Sequence, residues 1–146
     1  MKQGIHPQYF EKLGLTKAVE TLIEENKQLG DIYWIHELEN IDSYYNTKQQ
    51  LIIFRTIQEC MNNIIKHSKA KNAKISFEKS GDYINITIQD NGIGFNIDHA
   101  KLHSLGLSTI RERIKSLKGT VQIRSKPNGG TQTEIILPVA HNKRKD

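Results

Sequence analysis

Apolar residues recur at three- and four-residue spacing along three segments, which is the period of a helix with one buried face. The longest of these segments is Lys48–Lys69, and a shorter one, Leu15–Leu29, is followed by Gly30 as a stop signal. A third segment covers Leu107–Leu117. We therefore expect three helices, with Thr47 capping the N-terminus of the longest one.

Other segments alternate between apolar and polar residues, as strands with one buried face do. The predicted strands are Asp31–Glu39, Lys74–Lys79, Tyr83–Gln89, Thr120–Ser125 and Thr131–Leu137. Ser80-Gly81-Asp82 supplies hairpin turn residues between the second and third strands. Residues 1–14 and Asp90–Ser104 are expected to be irregular. The pattern predicts an α+β fold: a two-layer sandwich with helices on one face of a mixed, largely antiparallel sheet.

Composition narrows the class of protein but not its function. The 146 residues are 36% hydrophobic and 25% charged, which suits one domain with a core and excludes collagen-like, disordered and disulfide-scaffold chains. No apolar run approaches the ~20 residues of a membrane span, and the N-terminus lacks an apolar signal-peptide stretch. The single cysteine, Cys60, cannot form an internal disulfide, so we expect a cytoplasmic location.

The net charge of +5, part of it in the basic tail at 141–146, is compatible with nucleic acid, an anionic membrane or a polyphosphate ligand. The basic residues are not interleaved with aromatic residues, and no zinc-finger or RNA-binding signature is present. We therefore expect neither a nucleic-acid partner nor membrane contact by this segment.

The longest predicted helix carries a polar face. Glu59, Asn63 and either Lys66 or His67 lie three or four residues apart, so they share the side opposite the apolar stripe. Such residues are ordinary on a solvated surface. They also suit a metal–phosphate site, because an amide oxygen is a hard ligand of the kind that Mg²⁺ prefers. The helix alone leaves both interpretations open.

The sequence Asp90-Asn91-Gly92-Ile93-Gly94-Phe95 follows a predicted strand. Its glycines allow positive φ or close approach of the backbone to a planar ligand. An ionised Asp90 only accepts hydrogen bonds, so it can pair with an exocyclic amine such as that of adenine but not with the carbonyl of guanine. An ordinary Asn-Gly turn is the alternative.

Two further glycine motifs precede regular elements. Gly106 stands before the third helix, where free backbone N–H groups and the positive end of the dipole suit an anion. Gly129-Gly130-Thr131 opens the last strand, from which the Thr131 hydroxyl could reach a ligand. Alone, the Gly106 motif is equally compatible with an ordinary capped start of a helix.

Taken in order, these motifs resemble the ATP-binding domain shared by gyrase, heat-shock chaperones, sensor histidine kinases and mismatch-repair ATPases. Residues 58–70 are similar to the N box of histidine kinases, and Arg111-Glu112-Arg113 is similar to a string found in the nitrate/nitrite- and membrane-fluidity-sensor subgroup. The resemblance covers about residues 5–138. It implies a Bergerat-type fold and the binding of ATP with Mg²⁺.

The resemblance also implies a role for each motif residue. Asp90 would hold the adenine amine, and Thr131 would support it through a bridging water. Asn63 would coordinate Mg²⁺, and Glu59 would be the catalytic base or polarising residue. Gly92 and Gly94 would shape the adenine pocket, and Ile93 and Phe95 would line its approach. The phosphates would face Lys66 and His67, and the lid would include Gly106 and Leu107.

By the same resemblance, the γ-phosphoryl group would pass to a histidine on a dimerisation/phosphoacceptor domain and then to a response regulator. None of the six histidines stands in the expected acceptor context. We therefore expect a fragment of a longer sensor, with a junction at 1–14, the ATP-binding domain at 15–140 and a tail at 141–146. The isolated chain is expected to be monomeric or weakly associated.

Besides the missing phosphoacceptor helix, one departure from the family pattern and two alternatives accompany this interpretation. Ser104 replaces the first glycine of the second glycine box, which would stiffen the lid. His99 and His103 are four residues apart but lack a third ligand nearby, so we expect no zinc site there. The alternatives are a stand-alone serine protein kinase of the anti-sigma-factor type and a non-catalytic docking module that keeps the fold.

Overall fold

A computed structural model describes residues 7–96 and 106–139, which form two layers with helices on one face of a five-stranded sheet. The α-helices are α1 (Pro7–Lys12), α2 (Leu15–Lys27), α3 (Thr47–Asn63) and α4 (Leu107–Ser116). The strands are β1 (Tyr33–Leu38), β2 (Asn72–Ser80), β3 (Tyr83–Asp90), β4 (Thr120–Ser125) and β5 (Thr131–Pro138). A short 3₁₀ turn, Asp42–Tyr44, precedes α3, and a π-helical turn, Ile64–Ser68, follows it. No helix in these ranges is both long enough and apolar enough to cross a membrane.

The strands lie in the order β1-β2-β3-β5-β4. Strand β1 pairs with β2 in parallel, and the other three pairings are antiparallel. Ser80 pairs with Tyr83, so β2 and β3 are joined by a two-residue hairpin turn. The predicted α+β class and the mixed, largely antiparallel sheet are confirmed.

The two faces of the sheet differ as the alternating pattern predicts. On the inner face, Ile75, Ile86 and Ile135 are fully buried beneath the helices. On the outer face, Lys74 and Glu134 take part in ion pairs with neighbouring strands. One face of an antiparallel sheet can remain in contact with water when its side chains are polar.

Helix α3 begins one residue earlier than expected. Asn46, not Thr47, is the N-cap: its side chain accepts a hydrogen bond from the Gln49 backbone N–H, and the Gln49 side chain accepts one from the Asn46 N–H. This reciprocal pair is a capping box, which satisfies two backbone donors at once. Thr47 is therefore the first residue inside the helix.

A buried glutamine joins the beginning of α3 to the beginning of α2. Gln50 accepts a hydrogen bond from the Leu15 N–H at 3.0 Å and donates to the carbonyl oxygens of Asp42 and Tyr45 at 3.2 and 3.0 Å. The Asp42 carboxylate accepts hydrogen bonds from the backbone N–H and the hydroxyl of Thr16, both at 2.8 Å. We call these side chains, Thr16, Asp42 and Gln50, the Gln50 cluster.

The expectation that residues 1–14 are irregular is wrong for the part that the structure describes. Pro7–Lys12 is a helix. Proline is well suited to its first position, because the backbone N–H that proline lacks would have no acceptor within the helix there. Phe10 packs against Phe54 of α3 with ring centroids 5.4 Å apart, so a tertiary contact stabilises a helix too short to form alone.

The end of α3 also differs from the expected helix through Lys69. The α-helix ends at Asn63 and continues as a wider π-helical turn that terminates at Lys69 with φ of 55°. A π turn places one extra residue in the turn, so it changes which side chains share a face.

Candidate functional site

A cleft opens between the sheet, the end of α3 and the start of α4. Its polar lining includes Asn63, His67, Asp90, Thr131 and Thr133. Its apolar lining includes Ile64, Ile88, Phe95, Leu107, Ile110 and Ile123. The cleft is therefore apolar over most of its wall with a few polar groups, which is the usual constitution of a small-molecule site.

Asp90 lies at the end of β3, opposite Thr131 at the start of β5. Its Oδ1 accepts a hydrogen bond from the Gly92 N–H at 2.8 Å. Burial raises the pKa of the Asp90 carboxyl above its usual value, and hydrogen bonds from the backbone N–H groups of Gly92 and Thr131 oppose this rise. The carboxylate is thus held in one orientation as a hydrogen-bond acceptor at the cleft.

The turn after Asp90 is fastened to the end of the π-helical turn. The Ile93 N–H donates to the Ser68 carbonyl at 2.7 Å, and the Gly92 carbonyl accepts from the Gly130 N–H at 3.1 Å. A Cβ at Gly92 would collide with the Ser68 backbone, so a glycine is needed for this close approach. The first glycine of the motif therefore brings two backbones together, and Ile93, whose side chain is 45% exposed, does not line the cleft.

The second glycine has a different role. Gly94 has φ of +62°, and a Cβ there would meet the Lys126 carbonyl, so the backbone could not keep this path with another residue. The turn brings Phe95 to the cleft, where its N–H donates to the Ser125 hydroxyl at 2.9 Å.

Ser125 also fixes the hydroxyl of Thr131. The Ser125 Oγ donates to the Gly130 carbonyl at 2.9 Å and lies 2.8 Å from the Thr131 Oγ1. Because Ser125 has a single hydroxyl proton and Gly130 offers only an acceptor, the Thr131 hydroxyl is the donor in the remaining bond. Thr131 consequently presents lone pairs, not a proton, to the cleft.

On the helical side, the structure brings Asn63 and His67 to the cleft but not Lys66. Lys66 is exposed and lies outside the lining, whereas His67, four residues after Asn63, is part of it. Glu59 is half-buried one turn before Asn63, outside the lining and beside the backbone of Gly106. A Cβ added to Gly106 would lie 2.6 Å from the Glu59 Oε2, so glycine permits this contact.

Helix α4 presents its N-terminus near the same region. Gly106, in the left-handed conformation with φ of 67°, is the N-cap and provides no side-chain hydrogen bond to the first turn. Leu107 is 4% exposed and lines the cleft. The remainder of the expected lid, including Ser104, His99 and His103, lies outside the described residues.

Several cleft residues were missed by sequence analysis. Thr133 and Ile88 share strand parity with Thr131 and Asp90, so the alternating pattern could have found them. Ser125 could not be found in this way, because its role depends on the register of β4 against β5. Cys60 also lines the cleft, and burial raises the pKa of its thiol to about 12, which makes it a poor nucleophile.

The amino-acid sequence that builds this cleft matches a known protein family and several curated relatives. The model of the histidine kinase-, DNA gyrase B-, and HSP90-like ATPase family matches residues 48–141. The signal transduction histidine-protein kinase/phosphatase DegS of Brevibacillus brevis is 34% identical over 125 residues, which are 86% of this chain and 31% of that protein. The sensor histidine kinase LiaS of Bacillus subtilis is 29% identical over 137 residues, 92% of this chain and 37% of that protein.

Solved structures share the fold. The blue-light activated histidine kinase of Erythrobacter litoralis EL346 superposes with a TM-score of 0.74 at 18% identity, over 88% of this chain and 43% of that chain. The Acinetobacter baumannii histidine kinase AdeS superposes with a TM-score of 0.70 at 21% identity, over 87% of this chain and 64% of that chain. This chain spans about a third of the length of the curated relatives that it matches. It belongs to the family of histidine kinase-, DNA gyrase B- and HSP90-like ATPases, and these matched relatives are sensor histidine kinases.

Proposed function

We propose that this chain is the catalytic ATP-binding domain of a sensor histidine kinase. It binds Mg-ATP and donates the γ-phosphoryl group to a histidine on separate phosphoacceptor helices, for relay to a response regulator. The observation that carries the proposal is the fixed pair of acceptors, the Asp90 carboxylate and the Thr131 hydroxyl, at one side of a cleft whose wall is mostly apolar.

The two acceptors are suited to the exocyclic amine of adenine. Both present lone pairs: an ionised Asp90 carboxylate only accepts hydrogen bonds, and the proton of Thr131 is committed to Ser125. Apolar side chains such as Ile88 and Ile123 would contact the faces of the base. Guanine would place a carbonyl oxygen where the amine belongs, and two acceptors would then face each other at a loss of at least about 1–3 kcal/mol.

The phosphates are assigned to the helical side of the cleft. The half-buried Asn63 offers an amide oxygen at the lining, which fits Mg²⁺ because that ion takes few protein ligands together with phosphates and waters. When bound, the ion would neutralise charge on the phosphates. His67 lies beside Asn63, Lys66 is exposed nearby, and the first turn of α4 offers N–H groups that no side chain caps.

The reaction requires little covalent chemistry from the protein. An imidazole nitrogen of the acceptor histidine forms a bond to the γ-phosphorus, and the bond to the bridging oxygen of ADP breaks. Glu59 is proposed to orient the incoming imidazole and to receive its proton, because it stands one turn before Asn63 and its carboxylate lies close to Gly106 at the start of α4.

Calorimetric titration of Mg-ATP tests the proposal. The wild-type chain should bind ATP saturably and GTP far more weakly, and Asp90→Asn should weaken ATP binding by at least about tenfold, or 1.4 kcal/mol. Asp82→Asn is the matched control, because this carboxylate is exposed in the hairpin turn between β2 and β3. Absence of binding heat and of a thermal shift at millimolar Mg-ATP would reject the proposal in favour of a docking module.

The acceptor can be identified with labelled ATP. The chain alone should transfer no label to itself, and addition of a phosphoacceptor helix domain from a sensor kinase should give acid-labile phosphohistidine. Acid-stable label on a serine of an added partner would favour the serine protein kinase instead.

A further inference from the structure

The Thr133 hydroxyl stands out among the buried polar groups. Five polar side chains in residues 7–96 and 106–139 are buried: Thr16, Gln50, Thr56, Ser68 and Thr133. The first four all hydrogen-bond to other protein groups, for example Thr56 to the Ile52 carbonyl at 2.8 Å and Ser68 to the Ile64 carbonyl at 2.7 Å. No group in the described residues hydrogen-bonds to the hydroxyl of Thr133, which is only 8% exposed.

Burial of the Thr133 hydroxyl lowers the stability of the fold, because its neighbours on the sheet are apolar and offer it no hydrogen bond. Thr133 lies on the inner face of the sheet, paired with Ile88 of β3 and Ile123 of β4, and all three side chains line the cleft. A valine would fill the same volume among these isoleucines without burying a polar group. A buried polar group without a protein partner calls for another explanation, and its place in the lining indicates a ligand.

The hydrogen-bonding capacity of the cleft shows which ligand group Thr133 would meet. Asp90 and Thr131 offer only lone pairs, whereas the proton of the Thr133 hydroxyl is uncommitted. Thr133 stands two residues after Thr131 on the same face of β5, so the donor lies next to the acceptors. Adenine has the complementary edge, because its amine is flanked by the ring-nitrogen acceptors N1 and N7.

We propose that the Thr133 hydroxyl donates a hydrogen bond to the adenine ring nitrogen beside the amine, N1 or N7, and so is a second residue that selects the base. This inference rests on the proposed function, since it assumes that the cleft binds ATP. It adds a donor to the two acceptors, and the three groups together match the donor and acceptor pattern along one edge of adenine.

The test combines one substitution with modified nucleotides. Thr133→Val should weaken Mg-ATP binding about fivefold, the size expected for one neutral hydrogen bond, while 1-deaza-ATP and 7-deaza-ATP each remove one candidate acceptor. For the analogue that lacks the accepting nitrogen, wild type and Thr133→Val should bind equally well. Thr133→Ser keeps the hydroxyl and should still discriminate ATP from that analogue, and Thr87→Val, on the outer face of the sheet, should bind like wild type.

Stability separates this role from a structural one. Without nucleotide, Thr133→Val should unfold at the same or a higher temperature than wild type, because it removes an unused buried hydroxyl. Unchanged ATP affinity in Thr133→Val, or an equal loss for ATP and both analogues, would overturn the inference while the proposed function stands. If the wild-type chain binds no ATP, the proposed function fails and the inference fails with it.

Discussion

The two ends of α3 differ in how far the protein satisfies its own polar groups. At the N-terminal end, Gln50 makes three hydrogen bonds, and the Asn46 and Gln49 side chains cap the helix. At the C-terminal end, the helix widens into a π turn beside a cleft where the Thr133 hydroxyl has no partner in the described residues and Asp90 keeps acceptor capacity. The polar side chains at the first end find their hydrogen-bond partners within the protein, whereas those at the second end leave hydrogen-bonding capacity for a ligand.

This difference separates polar residues that build the fold from those suited to binding. Gln50 and Thr133 have the same exposed fraction, 8%, so burial alone does not distinguish them. What distinguishes them is whether their hydrogen-bonding capacity is used within the protein.

The largest effect is expected at the Gln50 cluster. Gln50→Leu keeps the approximate size of the side chain but leaves the Leu15 N–H and the carbonyls of Asp42 and Tyr45 without their partner. We expect a loss of about 3 kcal/mol in the free energy of unfolding, measured by chemical denaturation. Gln28→Leu, at an exposed position after α2, should change it by less than about 0.5 kcal/mol. Equal effects of the two variants would remove the distinction between the helix ends.

A smaller loss is expected from the capping box. Asn46→Ala removes the side-chain acceptor of the Gln49 N–H and should lower the free energy of unfolding by about 1 kcal/mol. Asn62→Ala, at an exposed position near the other end of α3, is the matched control and should be nearly neutral. A neutral Asn46→Ala would mean that the N-terminal end is held by Gln50 alone.

The smallest change is expected in the pH dependence of stability at Asp90. Its pKa is raised in the folded state, so the folded protein takes up this proton at a higher pH than the unfolded chain does. The stability of wild type relative to Asp90→Asn should therefore rise as the pH falls from 8 towards the usual carboxyl pKa of about 4. Denaturation series at several pH values measure this difference. A relative stability that instead falls with decreasing pH would show a lowered pKa and an Asp90 stabilised by the protein itself.

Much of the fold was predictable because one face of each long element is buried. The alternation around Ile84, Ile86 and Ile88 and the periodicity of α3 identified strand and helix, and the glycine motifs located Asp90 and Thr131. These features depend on local sequence, which is why they could be read directly. The capping box was missed in favour of an N-cap at Thr47, although Asn46 and Gln49 stand at the required spacing of three residues.

The remainder depends on contacts between distant segments. Helix α1 is six residues long, too short for a periodic pattern, and owes its place to the packing of Phe10 on Phe54. The π turn at Ile64–Ser68 leaves no periodic signature in five residues, and helical spacing alone could not decide whether Lys66 or His67 lines the cleft. The roles that the resemblance assigns to Glu59, Asn63 and the other motif residues stay predictions, as do the domain boundaries.

The parallel pairing of β1 with β2 has a consequence for the order of folding. The β2–β3 hairpin closes through two residues and can form in about 1–10 μs, whereas β1 reaches β2 only across the long segment that contains α3. Closing that segment carries an entropic cost that must be met before the parallel pair contributes. We therefore expect β1 to join the sheet after the hairpin has formed and α3 has packed. The β1 edge should then become protected from hydrogen exchange later than the β2–β3 hairpin.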